Sequence, residues 1–561
     1  MDQTKSFHEF LARDWEFRMQ ADPLFATSTG DNRRNDRLPA ISESYYAEFH
    51  AQLKTFESQL TRFKPESLSP LDRLNLEIYT RLLANEISLL EFQSYRFPIS
   101  KTGGFHQYFP ELYLLMPMET EQDYANYIKR LSGFKCFAEG HIEVMRAGLR
   151  DGQIPSQVTL QGVVGSIQAH IHADAALSAF NNPCAKFPAS IPPARAKLLT
   201  SDCLKAIRRS VIPGYSVLLQ FIQNEYLPSA RSGISAAELP GGEEYYRLCI
   251  RHFTSLDLAP REIHEMGLSE VERIHRAMQA IIQEVKFQGS FKEFVHSLRT
   301  EDRFFVSTPD DLLKTTALIL KRMDGELPRL FKTLPRLSYG IRAIPEYAAP
   351  GCTTAYYQPG AGDGSRAGVY YVNTYDLKSR PTFEIEALSF HESVPGHHLQ
   401  LALQQELDLP HFRRFNGFTS FVEGWALYAE TLGLECDFYT DPYSNFGRLS
   451  YEMWRAARLV VDTGIHAFGW SRERAIQFME EHTCLTLLNI TNEVDRYIAW
   501  PGQALAYKIG EIKIKELRQQ AEKTLGSRFD LREFHEILLK NGALPLDLLE
   551  SEVEHWVQKR G

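Results

Sequence analysis

The sequence has little cysteine, no strong excess of charge and no long apolar run, and each absence removes a class of protein. Its seven cysteines (Cys136, Cys184, Cys203, Cys249, Cys352, Cys436, Cys484) are scattered over 561 residues without a C-x-x-C pair, which fits neither a disulfide framework nor a thiolate zinc site. They read as buried thiols of a reducing compartment. A formal charge of −9 on so long a chain provides no basic field to hold a polyanion, which argues against nucleic acid as a partner. The N-terminus "MDQTKSFHEFLARDWEFRMQ" lacks an apolar core of signal-peptide length, and no later run reaches the roughly 20 apolar residues that span a bilayer. The expectation is a cytoplasmic protein without a membrane partner. Internal repeats, charge blocks and low-complexity tracts are absent as well.

What is present is the composition of an ordinary globular protein, 43% hydrophobic and 24% charged, at a length where a core is easily built. Helical periodicity dominates the first two-thirds. Apolar residues recur at three and four in "LDRLNLEIYTRLLANEISLLEF" (71–92), and "EQDYANYIKRLSGFKCFAEGHIEVMRAGLRDG" (121–152) ends in a glycine stop. The stretches 180–197 and 239–246 read as connections, since the helical pattern resumes beside them. This gives an N-terminal helical region, 1–240, and a second region, 241–561, in one continuous and mainly α body.

The texture changes near residue 340. "GVYYVNT" (368–374) is the one convincing strand, and "PGAGDGSRAG" (359–368) before it lacks the order of a phosphate cradle, so it reads as a turn or lid. Pro381 then sits at a first helical position, with Glu384 and Glu386 in the first turn, where the helix dipole favours acids.

That helix leads into "FHESVPGHHLQ" (390–400). On a straight helix His391 and His397 lie about 240° apart, and His398 returns to the same side roughly 10 Å further along. Neither pair shares an ion on such a helix, since zinc bonds are about 2 Å long. Pro395 removes a helical hydrogen bond and, with Gly396, predicts a kink or bulge that absorbs the offset. A further ligand is expected from a facing helix. Glu423 in "TSFVEGWALYAE" (419–430) is an acid in an apolar segment, where an unpaired charge is costly. Glu430, at i+7, is placed to hold the free N–H of a ligand histidine.

The segments "HESVPGHHLQ", "VEGWALYAE" and "WPGQALAYKIG" together resemble the bacterial family catalogued as domain of unknown function 885, over at least Pro345 to Arg518. A more distant likeness is to thimet-type oligopeptidases, which carry H-E-F-G-H followed by S-x-x-E-x-W. Ser420, Glu423 and Trp425 match the second motif, and Gly396-His397 matches the G-H after a two-residue insertion. That resemblance implies a multi-helix, zincin-like body with a small sheet beside the metal-binding helices and a deep groove. It also implies His391, His397 and Glu423 as zinc ligands and Glu392 as general base, with His398 the alternative second ligand.

The implied chemistry is hydrolysis of short peptides by metal-activated water. In "DRYIAWPGQALAYKIG" (495–510), Gln503 and Tyr507 share a helix face, and Tyr507 is the candidate donor to the tetrahedral intermediate. Arg458, Asp462 and His466 form a polar column at i, i+4 and i+8. Arg458 and His466 are candidates for substrate binding, through a substrate carboxylate or a ligand that the column orients, and an internal salt bridge is the other reading. Tyr371 lies on the strand "GVYYVNT", which is expected to pair with an extended peptide. A metal-dependent amidase on non-peptide substrates, and a helical binding protein with a structural metal, are the alternatives. Oligomeric state is not legible.

Overall fold

The computed structural model describes residues 3–346, 349, 352–362, 364 and 366–560. Helix makes up 72% of the chain, so the class is mainly α. The chain divides into two compact units, Met1–Leu248 and Cys249–Gly561, with the boundary a few residues past the one read from the sequence.

In the first unit the two long periodic segments form helices Pro70–Glu91 and Glu121–Arg150. Each starts on a side-chain cap: Ser69 accepts from the Asp72 N–H, and Thr120 and Asp123 form a reciprocal capping box. Such caps are worth about 1 kcal/mol each. The core is strongly aromatic, with Phe109, Phe134, Phe180 and Tyr215 in mutual contact. The expected connection 180–197 contains a short helical turn, Ala179–Cys184, and the first residues of helix Pro193–Ala206.

The second unit holds one three-stranded sheet: β1 (Tyr339–Ala343), β2 (Ala355–Gln358) and β3 (Gly368–Val372), in the order β1-β3-β2. β3 pairs parallel with β1 and antiparallel with β2. It is therefore the central strand, with both hydrogen-bonding edges taken, and the expectation that it pairs with a peptide is overturned. Side chains alternate across the sheet. Val369 and Tyr371 join Ile344 and Ala349 in a small apolar cluster on one face, while Tyr370 and Val372 line a cavity with Ile385 and Leu388 on the other. The glycine-rich loop read as a turn or lid includes Asp363 and Ser365, which lie outside the described residues.

Six helices complete the frame: α1 (Ile385–Glu392), α2 (His397–Glu406), α3 (Thr419–Leu432), α4 (Pro442–Phe468), α5 (Leu487–Ala499) and α6 (Ala506–Leu525). Pro381 precedes the first helical turn, Thr382–Glu384, rather than opening α1. Nearly all of α4 is buried, as expected of a helix that is surrounded by other elements. Helices α3 and α6 touch backbone to backbone. A Cβ on Gly424 would lie 2.5 Å from the Gly510 Cα, and one on Gly510 would lie 1.8 Å from the Ser420 carbonyl oxygen.

A buried ion cluster ties α6 to α4. The Lys508 ammonium, with no exposed surface, lies 2.9 Å from Glu270, 2.9 Å from Glu452 and 2.5 Å from Glu511. Burial pulls this ammonium's pKa down, but the three carboxylates outweigh it and raise it. These carboxylates are close enough together to hold a metal ion, and Lys508 supplies the positive charge in its place. Among the described residues no helix is long and apolar enough to cross a membrane. Of the cysteines, Cys184, Cys203, Cys249 and Cys436 are buried as expected, whereas Cys136 is exposed.

Candidate functional site

The interruption at Pro395 is a complete break between two helices, not a kink within one. α1 ends at Glu392, Ser393 leaves helical geometry, and α2 begins at His397. The Val394–Pro395 peptide is cis. Gly396 lies against the end of α1, where a Cβ would come within 2.0 Å of the His391 carbonyl oxygen. Only glycine allows the chain to return so closely on itself. The Trp425 indole on α3 donates to the Pro395 carbonyl at 2.9 Å, which fixes the break against the helix that carries Glu423.

The break brings together the residues that a straight helix would separate. The Nε2 atoms of His391 and His397 each lie 3.5 Å from Oε2 of Glu423, and the two imidazole planes are nearly perpendicular, at 87°. One ligand atom from each of the three residues falls within 4.8 Å of the others. His398 points elsewhere: its Nδ1 lies 2.8 Å from the Tyr357 hydroxyl on β2, and burial lowers its pKa to about 4.

The donor set fits a metal ion. A 3.5 Å gap is long for an N–H···O hydrogen bond, whereas neighbouring donors around a tetrahedral ion with bonds near 2 Å stand about 3.3 Å apart. Glu423 Oε2 is buried with no hydrogen-bond partner among the described residues. Burial pulls the His391 imidazole down, but the carboxylates of Glu423 and Glu430 raise it to about 9. Burial likewise raises the Glu423 carboxyl, yet His397 and His391 hold it well below the usual carboxylate range. The three groups thus share a demand for one positive charge, which a metal ion would meet.

Glu430 occupies the place read for it. Its Oε1 lies 2.8 Å from His391 Nδ1, so with the proton on Nδ1 the lone pair of Nε2 faces Glu423. Arg455, which the sequence did not single out, lies 3.8 Å from the same carboxylate oxygen. Glu392 is half-buried at the end of α1, one residue beyond His391.

Tyr507 opens α6 and is partly buried. Burial and the Glu423 carboxylate raise its phenol pKa, while Arg458, Arg496 and a hydrogen bond with Gln503 oppose the rise. Gln503 accepts from Arg496 Nη1 at 2.6 Å.

The remaining candidates are not at the centre. Tyr371 lies on the sheet face away from α1, because the period-2 alternation of β3 turns Tyr370 toward that helix instead. His466 is buried, with Nε2 3.0 Å from the Tyr497 carbonyl oxygen, and does not reach a substrate. Arg458 donates through Nε to the Tyr497 hydroxyl at 3.1 Å and through Nη2 to Glu493 at 3.0 Å. Its Nη1 is also shielded from solvent, so no edge of the guanidinium is open to a bidentate carboxylate. Asp462 accepts the Gly502 N–H through both oxygens at 3.1 Å. The polar column therefore braces α5 and the turn before α6.

Comparison with known proteins agrees with the motifs. The family model for bacterial proteins of unknown function, DUF885, matches residues 23–553. The chain belongs to that family. This DUF885 protein is similar over 100% of both chains to a crystal structure of a candidate lipoprotein from Colwellia psychrerythraea, at 29% identity and a TM-score of 0.95. A candidate lipoprotein of unknown function from Shewanella oneidensis has the same fold at 18% identity and a TM-score of 0.73, over 97% of this chain and 99% of that one. Both descriptions point weakly away from the cytoplasmic placement expected above. None of the curated proteins matches.

Proposed function

We propose that this DUF885 protein is a zinc-dependent hydrolase that cleaves peptide bonds in short peptides. The observation that carries the reading is the convergence of His391, His397 and Glu423 from three separate helices on one point. A structural zinc site uses four protein ligands, while a hydrolytic one uses three and leaves a position open. Only these three His, Cys, Asp or Glu residues form the group among the described residues. A zinc ion held there supplies Lewis acidity and lowers the pKa of a water molecule toward about 7.

The protein's own groups do the rest. Glu392, next to His391, takes a proton from the attacking water and returns it to the leaving amine. Tyr507 donates to the oxyanion that develops on the scissile carbonyl. Glu430 keeps the His391 proton on Nδ1. β2, which pairs only with β3, is the edge strand against which an extended substrate can lie. The distant motif likeness to thimet-type oligopeptidases supports the same assignment.

Digestion of a defined peptide library with and without chelator, read by mass spectrometry, tests the proposal. The expected result is cleavage that stops on chelation and on Glu392→Gln while metal is retained. An unchanged library with zinc bound would refute peptide cleavage and redirect the search to non-peptide amides.

A further inference from the structure

Arg458 is buried deeply for an arginine without access to substrate, and its surroundings give it a different task. Its guanidinium carbon lies 4.4 Å from the centre of the Trp454 ring and 4.4 Å from that of Tyr507. One planar cation is thus in contact with both aromatic rings, a geometry that a guanidinium makes well and an ammonium does not. The plane is fixed edge-on by Tyr497 and Glu493, and Glu493 is held in turn by Arg496, whose Nη2 donates to it at 2.9 Å. Arg496 also grips Gln503, which hydrogen-bonds Tyr507. Tyr507 is therefore located twice by one ion network, through its ring face and through its hydroxyl neighbour.

We propose that Arg458 is a positioning residue, which fixes the ring of Tyr507 beside Glu423 through this cation–π contact. The proposal rests on the hydrolase reading for its kinetic consequence but not for its structural one. A donor at the open side of the site is useful only if it is already in place when charge develops on the substrate. A tyrosine at the mouth of a groove has free rotation to lose, and the stack with Arg458 removes that freedom before substrate arrives.

The test is a double-mutant cycle on kcat with wild type, Arg458→Lys, Tyr507→Phe and the double variant, together with zinc content and a crystal structure of Arg458→Lys. Lysine keeps the charge opposite Glu493 and loses the planar stack. The expected result is a fall in kcat of about 10–100-fold for Arg458→Lys with KM little changed, and about 100-fold for Tyr507→Phe. The double variant is no slower than Tyr507→Phe alone, zinc content is unchanged, and the Tyr507 ring is displaced in the crystal. Multiplicative losses would overturn the proposal, as would wild-type kcat in either single variant. Should Arg458→Lys fail to fold, Trp454→Leu removes a ring that the guanidinium packs on and is expected to give the same non-additive pattern. If the wild-type protein cleaves neither peptides nor amides, the hydrolase reading fails by itself. The crystal structure then decides this one, and an undisplaced Tyr507 ring overturns it.

Discussion

The contact between Gly424 and Gly510 makes a quantitative claim about how the site is assembled. Replacing Gly510 by alanine puts a Cβ 1.8 Å from the Ser420 carbonyl oxygen and 2.8 Å from the Gly424 Cα. Ordinary C···O contacts begin near 3.3 Å, so α3 and α6 must separate locally by roughly 1.5 Å. Neither side can yield by rotating a side chain, because the colliding atoms are backbone. Overpacking of this kind costs about 1–3 kcal/mol, and more where the backbone cannot adjust. The two helices carry Glu423 and Tyr507, so the same displacement reaches the chemistry, and a misplacement of about 1 Å can lower turnover about 100-fold. Urea denaturation and peptide turnover are the assays, with Gly325→Ala as control. Gly325 lies within helix Pro309–Leu330, and a Cβ there meets nothing within 4 Å, so its replacement is expected to stabilise by about 0.5–1 kcal/mol. A Gly510→Ala protein with the stability and turnover of the wild type would show that the helices do not meet as described.

Further outcomes follow from buried charge. Lys508→Met strands Glu270, Glu452 and Glu511 around the lost ammonium and is expected to destabilise by about 3–5 kcal/mol in urea denaturation; no change would refute the cluster. His535 is wholly buried, with Nε2 2.9 Å from the Tyr428 hydroxyl and Nδ1 2.8 Å from the Leu330 carbonyl oxygen, and burial lowers its pKa to about 3. The unfolded chain binds this proton at about pH 6.5 and the folded one does not, so its contribution is complete above about 6.5 and is lost as pH falls toward about 3, at about 1.4 kcal/mol per unit. A His535→Phe variant should show a shallower pH dependence of stability over that window, and an identical slope would contradict the assignment. Glu430→Gln is expected to weaken zinc binding about 10–100-fold in chelator competition, and unchanged affinity would remove Glu430 from the site.

Much of the centre was legible because its signals are local. The H-E and P-G-H-H pattern says that a helix must break, and one acid in an apolar helix says that something positive must meet it. Glu430 followed from Glu423 by simple helix spacing. What escaped depends on contacts between distant segments. Nothing in "GVYYVNT" tells which of Tyr370 and Tyr371 faces α1, since a strand's parity is set by its neighbours. Arg458 and His466 look the same on a helix wheel whether they face a groove or brace a loop, and only Glu493, Tyr497 and the turn at Gly502 distinguish the two. Lys508 and Glu511 stand in "WPGQALAYKIGEIK", but their partners Glu270 and Glu452 lie far away in sequence. The close approach of Gly424 and Gly510 leaves only two glycines in otherwise ordinary helices as its trace.

The central claim is that His391, His397 and Glu423 hold one metal ion while His398 does not. Metal analysis by mass spectrometry on wild type, His397→Ala and His398→Ala tests it most directly. The account requires about one zinc per chain in wild type and in His398→Ala, and little or none in His397→Ala. Zinc retained by His397→Ala and lost by His398→Ala, or a wild-type protein that takes up no zinc, would contradict it.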